Sequence, residues 1–364
     1  MLRQRLLSLD FMRGFIMTVL MLGETGFFNT LDHAYRNVFL HRILQQFEHT
    51  PWHGLRFWDI LLPAFMLIAG TSMAYSYRHQ KHQLNYTWFE ALKKIAKRSL
   101  WLLFWGVLIY AVKGGKLNIE LSNVLVQLAF TTFISFFFIN LPARWQIMAS
   151  FAFLTVSDLL FRLISIPHFD KPFIRNANFG SYLDMIVLRN VDSHHYTNTV
   201  NFISSTALTL WGITVGQLFM SNRPRKSLLI AAFGTAILFT GLILDFSNIN
   251  PILKWISSAS FVLATGGITL IFMALCYEWI DIRNHRRYIT FFVIVGMNSL
   301  FIYLFFSFLG FNWLYHFAAV IITGILALIN IPLYPASACA CLLVFALEWH
   351  LCYFLYKRNI FFKA

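Results

Sequence analysis

Long apolar runs, broken by short clusters of Pro, Gly, Asn and charge, are the dominant pattern along the chain. A helix that crosses the hydrocarbon of a bilayer needs about 20 mostly apolar residues, and ten stretches reach or approach that length. They run approximately over 11–28, 57–77, 98–112, 121–141, 146–165, 200–220, 227–245, 255–279, 288–309 and 336–356. The third is short and draws on its flanks. One further stretch, 311–330, is apolar and long enough to cross, so the count is ten spans, or eleven if it does so. Ten is preferred, with 311–330 re-entrant or lying in the membrane plane, because an eleventh span would carry Lys357, Arg358 and Lys363 to the opposite side. Between residues 83 and 98, Trp88, Phe89, Leu92 and Ile95 are interspersed with Lys93, Lys94, Lys97 and Arg98. That is the pattern of an amphipathic interfacial helix leading into the third span, and a basic anchor for anionic lipid is its simplest role.

Composition sharpens this picture. A soluble chain of 364 residues would make two or three domains, but 58% of these residues are hydrophobic and only 12% charged, which excludes a water-soluble protein. Forty Phe and 11 Trp are more than a soluble core of this size could hide. The chain reads as one all-α polytopic membrane domain, 1–364, with the lipid bilayer as its first partner. Its charge is lopsided, 29 Lys plus Arg against 15 Asp plus Glu, or +14. Basic residues near helix ends mark the cytoplasmic face, and here they alternate cleanly. Arg3 and Arg5, the group from Arg78 to Arg98, Arg144, Arg223, Arg225 and Lys226, Arg283, Arg286 and Arg287, and Lys357, Arg358 and Lys363 fall on one side. The N-terminus is therefore expected in the cytoplasm, with nucleic acid excluded as a partner. Loops 29–56 and 166–199, which hold seven of the 12 His, are expected outside. Met1–Arg5 precedes an apolar run as in a signal peptide, but Asp10 and Arg13 interrupt its entry and no small-residue cleavage site follows, so it reads as a retained first helix. Cys276, Cys339, Cys341 and Cys352 lie in or beside apolar segments without metal-ligand spacing, so neither disulfides nor a metal are expected.

Ionisable groups at membrane depth are costly to bury alone, which makes each a functional candidate. The densest group follows the first span: Glu24, then Glu48, His49, Trp52, His53 and Asp59. A His with a carboxylate in reach is the recipe for a general base, since the carboxylate fixes the tautomer while the other ring nitrogen takes the proton. His49 with Asp59 or Glu48 fits it, although spacing alone equally describes an interfacial histidine bonded to backbone. Asp158 and Arg162 are one turn apart and read as a self-neutralised pair. Glu348 and His350 are polar residues in the last apolar span to which no role is assigned. His33, His41, His168, His194 and His195 read as solvated loop residues, because no carboxylate or Cys pattern makes them a metal site.

A longer string carries more information. His49-Thr-Pro-Trp52-His-Gly54-Leu-Arg-Phe-Trp-Asp59-Ile-Leu-Leu-Pro63, followed by Phe65 and Gly70, resembles the signature of the heparan-alpha-glucosaminide N-acetyltransferase family. Ser8-Leu9-Asp10-Phe-Met-Arg13-Gly14 resembles the family's first-helix motif, and Thr199-Val-Asn201 with Gly212 and Gly216 its sixth-span motif. Pro251-Ile-Leu-Lys254 with Ser258, Ser260 and Phe261 resembles its eighth-span motif, while Gly296-Met297-Asn298-Ser299 and Leu355-Tyr356-Lys357-Arg358-Asn359-Ile360-Phe361 complete the order. The resemblance covers nearly the whole chain. It departs at Glu24, where relatives often carry Asn, in a longer segment from Glu24 to His49, and at Val126-Gln127 in place of Gln-Arg.

The resemblance implies a membrane-embedded acyltransferase that takes acetyl from cytosolic acetyl-CoA and delivers it to an amine or hydroxyl of a sugar or glycan on the other side. His49 occupies the position of the family's essential histidine, as a general base or as the group that is itself acetylated; the base is preferred. Asp59 would orient it. Acyl transfer also needs donors near the developing oxyanion, for which Asn298 and Asn201 are candidates, each equally suited to an interhelical hydrogen bond. Trp52, Glu24 and Lys254 are placed towards the acceptor, where Trp52 would serve equally as an interfacial anchor and Lys254 as a plain loop charge. The phosphates of CoA should meet cations at the cytosolic mouth, and Arg13, Arg286 and Arg287, with Asp10 and Ser258, are assigned there. Asp10 and Arg13 could equally be an intrahelical pair. A secondary transporter of an anionic solute, or a non-catalytic glycan- or lipid-binding relative, are the competing readings, but the string from His49 to Pro63 has no counterpart in the second half that would mark a transporter's repeat. The compact chain has no large lumenal N-terminal domain and no glycosylation sequon in its outer loops, which favours a bacterial inner membrane, and a homodimer is compatible with it.

Overall fold

The structure, a computed structural model, describes residues 6–35, 37–113, 121, 123–188 and 199–362. Arg3, Arg5, His194, His195 and Lys363 lie outside the described residues. In chain order the α-helices are α1 (Leu7–Glu24), α2 (Phe27–Ala34), α3 (Val38–Leu44), α4 (Phe57–Gln83), α5 (Trp88–Lys113), α6 (Val124–Phe136), α7 (Ala143–Leu163), α8 (Phe179–Leu188), α9 (Asn201–Phe219) and α10 (Lys226–Phe246). They continue with α11 (Ala259–Cys276), α12 (Thr290–Met297), α13 (Ser299–Phe305), α14 (His316–Ala327) and α15 (Leu333–Lys357), and π-helical turns follow α11 over Tyr277–Ile282 and α13 over Phe306–Tyr315. Among the described residues no β-strand forms beyond a single bridge.

Among the described residues seven helices are long and apolar enough to cross a membrane, or up to nine if each of two bent pairs is one span. They mark the chain as an integral membrane protein. The differences from the ten expected spans have local causes. The first span bends by 54° between α1 and α2, where Gly26 takes a left-handed conformation. The stretch 288–309 is broken by 75° at Asn298, and α6 is only 13 residues long. Within 311–330 the apolar helix is Trp313–Ala327, below spanning length. Over 83–98, expected as an interfacial helix continuing into the third span, α4 runs to Gln83 and the chain restarts at Trp88 as one helix that continues to Lys113. A capping box sets that start, since Thr87 donates from its backbone N–H and hydroxyl to Glu90 at 2.7 and 2.9 Å while the Glu90 N–H returns a bond to the Thr87 hydroxyl at 3.3 Å.

The chain divides into two compact units. The first holds Met1–His49, Arg56–Trp58 and Cys276–Ala364, and the second Thr50–Leu55 and Asp59–Leu275. In the first, α1 packs along α12, and α15 along α14 and α2. Asp281 caps α1 from far along the chain, its two carboxylate oxygens accepting the Leu7 and Ser8 N–H groups at 3.1 and 3.3 Å, which supplies acceptors that the helix start lacks internally.

In the second unit α9 is the central helix, packed by α6 and α7 and crossed by α4. The buried Trp211 of α9 gives its indole N–H to the Ser150 hydroxyl at 2.8 Å, so this large apolar side chain leaves no orphan donor. Where α4 and α9 cross, a methyl added to Gly212 would lie 2.1 Å from the Leu67 carbonyl oxygen, and one added to Gly70 would lie 2.1 Å from that of Thr209. The Thr71 hydroxyl joins the helices by donating to the Gly212 carbonyl at 3.0 Å. Small residues let helix backbones approach closely where lipid supplies no hydrophobic drive for association. Gly212→Ala is therefore expected to part the helices and to destabilise the protein by about 1–3 kcal/mol, read as a lowered unfolding midpoint in detergent. An unchanged midpoint would contradict the close crossing.

Candidate functional site

The polar residues of the second unit gather where the Thr50–Leu55 loop meets the connection between α10 and α11. That connection is built by capping. The Ser258 hydroxyl donates to the Pro251 carbonyl at 2.7 Å and accepts the N–H groups of Leu253 and Phe261 at 3.0 and 3.3 Å. Asn250 accepts the Ser260 N–H at 3.0 Å and donates to Asp158 at 2.6 Å. Two backbone donors at the start of α11 are thus satisfied by side chains of its own leading loop. Asp158 and Arg162 form the expected pair, 2.8 Å apart, but they also hold this loop, because Arg162 donates to the Ile249 carbonyl. The Thr50–Leu55 loop then joins it through a bridge between His53 and Leu253 and the Gly54 N–H to the Ile252 carbonyl at 3.0 Å. Gly54 sits at φ +111°, a conformation that a side chain at this position would strain.

A buried ion pair lies at this junction. Asp59, in the first turn of α4 and 1% exposed, faces the Lys254 ammonium at 3.3 Å through Oδ1. Its Oδ2 accepts the Thr50 hydroxyl at 2.6 Å and the Thr50 N–H at 3.3 Å. Lys254 lies over the neighbouring Trp255 ring at 4.6 Å, and the Trp255 indole donates to the Thr50 carbonyl at 2.9 Å. Burial pushes the Lys254 ammonium down from its ordinary 10.5 to about 8, against the opposing attraction of Asp59. Asn201, at the start of α9, donates to the Trp255 carbonyl at 3.0 Å, and its own buried side-chain oxygen has no hydrogen-bond partner among the described residues. With one of its two amide N–H groups given to Trp255, Asn201 keeps a second donor and an unpaired acceptor for this site. The Trp52 indole is taken by the Phe173 carbonyl at 3.0 Å, and Ser205 and Ser257 bond each other at 3.0 Å. Ser258, assigned from sequence to the donor, lies in the same loop as Lys254 with its hydroxyl engaged in capping.

In the first unit His49 follows a 3-10 turn at Gln45–Phe47 and is exposed. Its ring meets Trp58 edge-on with centroids 6.3 Å apart. The segment is held by Arg56, whose guanidinium donates to the His49 carbonyl at 3.2 Å and pairs with Glu48 at 3.5 Å, and by Gln46, which accepts the Phe57 N–H at 3.3 Å. Glu48 is thus committed to Arg56. Glu24 ends α1, half-buried. Arg13 and Asp10 are 3.5 Å apart on one helical face, the intrahelical pair that their spacing allowed. Asn298 stands at the break between α12 and α13, where its amide donates to the Ile360 carbonyl at 3.1 Å and its oxygen accepts the Phe362 N–H at 3.0 Å. Its side chain therefore anchors the C-terminal segment. Arg286 donates to Asn284 at 2.9 Å, and Arg287 lies over Tyr288 at 5.0 Å.

The structure adds partners that sequence reasoning did not single out. Thr50 and Trp255 complete the Asp59–Lys254 pair, and both stand directly beside residues that were chosen. His53 forms a 2.7 Å contact with Asp245, which also accepts the Ile252 N–H at 2.7 Å. A lone carboxylate at the end of the apolar run 227–245 was the available signal for Asp245. Among the described residues no group of three or more His, Cys, Asp or Glu is arranged to hold a metal. No protein-family model matches the chain, and no curated protein matches it.

Proposed function

We propose that the protein is a membrane-embedded acetyltransferase that passes acetyl from acetyl-CoA on the cytoplasmic side to an amine or hydroxyl of a sugar or glycan on the opposite side. The proposal includes ten crossings, a cytoplasmic N-terminus, and a bacterial inner membrane. One observation supports it above the others: Thr50 and Asp59, Asn201, and Lys254 come from three separated motif strings, and together with Trp255 they converge on one polar cluster built round a buried ion pair. Burying an ion pair is expensive unless its geometry is needed, so its assembly from those strings favours function over accident.

In this reading His49 accepts the proton of the acceptor N–H or O–H as that heteroatom bonds to the acyl carbon. The carbon–sulfur bond then breaks, and CoA leaves as the thiolate, which takes up a proton. The Lys254 ammonium, held by Asp59, steadies the acceptor or the developing oxyanion, and the open Asn201 oxygen receives a substrate N–H or O–H. Cations such as Arg286 and Arg287 meet the CoA phosphates. The two bent helix pairs favour the rival reading, because secondary transporters use broken helices at their binding sites. Proteoliposomes supplied with labelled acetyl-CoA on one side and a panel of amino sugars and neutral glycans on the other separate the two. Label on the acceptor supports the proposal, whereas uptake of solute without acetylation overturns it.

A further inference from the structure

The first unit contains a carboxyl group that this chemistry does not use. Glu348 lies in α15 and is 1% exposed, and neither of its carboxylate oxygens has a hydrogen-bond partner among the described residues. It is aimed at the π-helical turn Phe306–Tyr315: a methyl added to Gly310 would lie 2.8 Å from Oε1. π-helical turns are frequent at functional sites, and an ionised carboxylate without donors is among the most costly groups to keep in an apolar interior.

An ionised Glu348 would need a counter-charge, and among the described residues no Lys or Arg is paired with it and no group of three or more His, Cys, Asp or Glu is gathered as for a metal. The titratable groups on the elements packed against α15 are the Asp10–Arg13 pair and Glu24 of α1, Asp32 and His33 of α2, Tyr315 of the π-helical turn and His316 of α14, while α12 has none. Asp32 is bound to His41 at 2.8 Å, and His33 stacks on Tyr334. On α15 itself Cys352 lies one turn further along. Glu24 is half-buried beside the bend between α1 and α2, and as a carboxyl it offers no positive charge. A proton is the one counter-ion that needs no further ligands.

We propose that Glu348 is a proton-binding site inside the first unit, its carboxyl held as the neutral acid against the π-helical turn. Loading forms an O–H bond on Glu348 as a water-borne hydronium gives up its proton, and release returns that proton to water. The inference stands apart from the acetyltransferase reading and uses none of its residues.

Infrared spectroscopy of the full chain in lipid at neutral pH tests it. The wild type should show a protonated-carboxyl C=O band that shifts to lower frequency in D2O, and Glu348→Gln should lose that band. A wild type without the band, a band unchanged in Glu348→Gln, or a band that does not respond to D2O would overturn the site. Should Glu348→Gln fail to fold, the wild type can be treated with a lipophilic carbodiimide, which adds only to protonated carboxyls. An adduct mapped to Glu348 by mass spectrometry supports the proposal. No adduct, or an adduct suppressed by sodium at constant pH, sinks it, the latter in favour of a metal cation.

Discussion

His49→Ala is expected to lower the rate of acetyl transfer by about a hundred- to ten-thousand-fold, the range spanned by a positioned proton acceptor. The same substitution should cost little stability, about 1 kcal/mol or less, because His49 is exposed and the Arg56 and Gln46 bonds that hold its segment run to backbone groups. Arg56 binds the His49 carbonyl, and Gln46 binds the Phe57 backbone, so both survive truncation at Cβ. Loss of transfer with a little-changed unfolding midpoint therefore separates chemistry from scaffolding. Transfer that persists within a few-fold of wild type would remove His49 from the mechanism. The two roles open to the imidazole separate as well: labelled acetyl found on the wild-type protein before any acceptor is added marks it as the nucleophile, and its absence marks it as the base.

How much of this was legible beforehand follows from what each residue depends on. Helix identity depends on local apolar content, so most of the expected stretches recur as helices. Their continuity depends on packing, which is why the bend after Glu24 and the break at Asn298 were not foreseen. The Thr87–Glu90 capping box was readable, but a Trp- and Lys-rich segment drew attention to amphipathicity instead. For the site, the motif strings named Asp59 and Lys254 correctly as residues of interest but not as partners, since they stand 195 positions apart and no periodicity links them. Within the second unit the Asp59 carboxylate meets Thr50, nine positions away and next to His49, and Lys254, which only the fold brings near. Asn298 illustrates the converse: its position in a motif suggested chemistry, and its hydrogen bonds hold the C-terminal backbone. Glu348 was visible as a charge in an apolar helix, but burial without a partner is a property of three dimensions alone.

Asp59→Asn should destabilise the protein by about 3–5 kcal/mol, because it removes the carboxylate charge that faces the largely buried Lys254 ammonium at 3.3 Å. Asparagine can still accept the Thr50 hydroxyl, so the loss isolates the electrostatic part of the site. The pH dependence follows from the direction in which burial drives Lys254. Its folded value of about 8 lies below the 10.5 of an exposed lysine, so the folded state sheds a proton that the unfolded chain still holds. Stability linked to Lys254 is therefore complete above 10.5 and is lost as the pH falls through 8. Removing Asp59 takes away the attraction that opposes burial, which moves the folded value lower still and widens the window over which alkali stabilises. Unfolding midpoints measured at about pH 7 and about pH 9 should accordingly rise with pH in both proteins, and more steeply in Asp59→Asn. The double variant Asp59→Asn with Lys254→Met removes both charges and should recover much of the lost stability, since replacing a buried pair by apolar groups is often neutral. It should remain inactive in acetyl transfer, having lost the group that steadies the acceptor or oxyanion. A double variant less stable than Asp59→Asn alone would mean that Lys254 holds the fold by packing rather than by charge, and a fully active one would remove the pair from the chemistry.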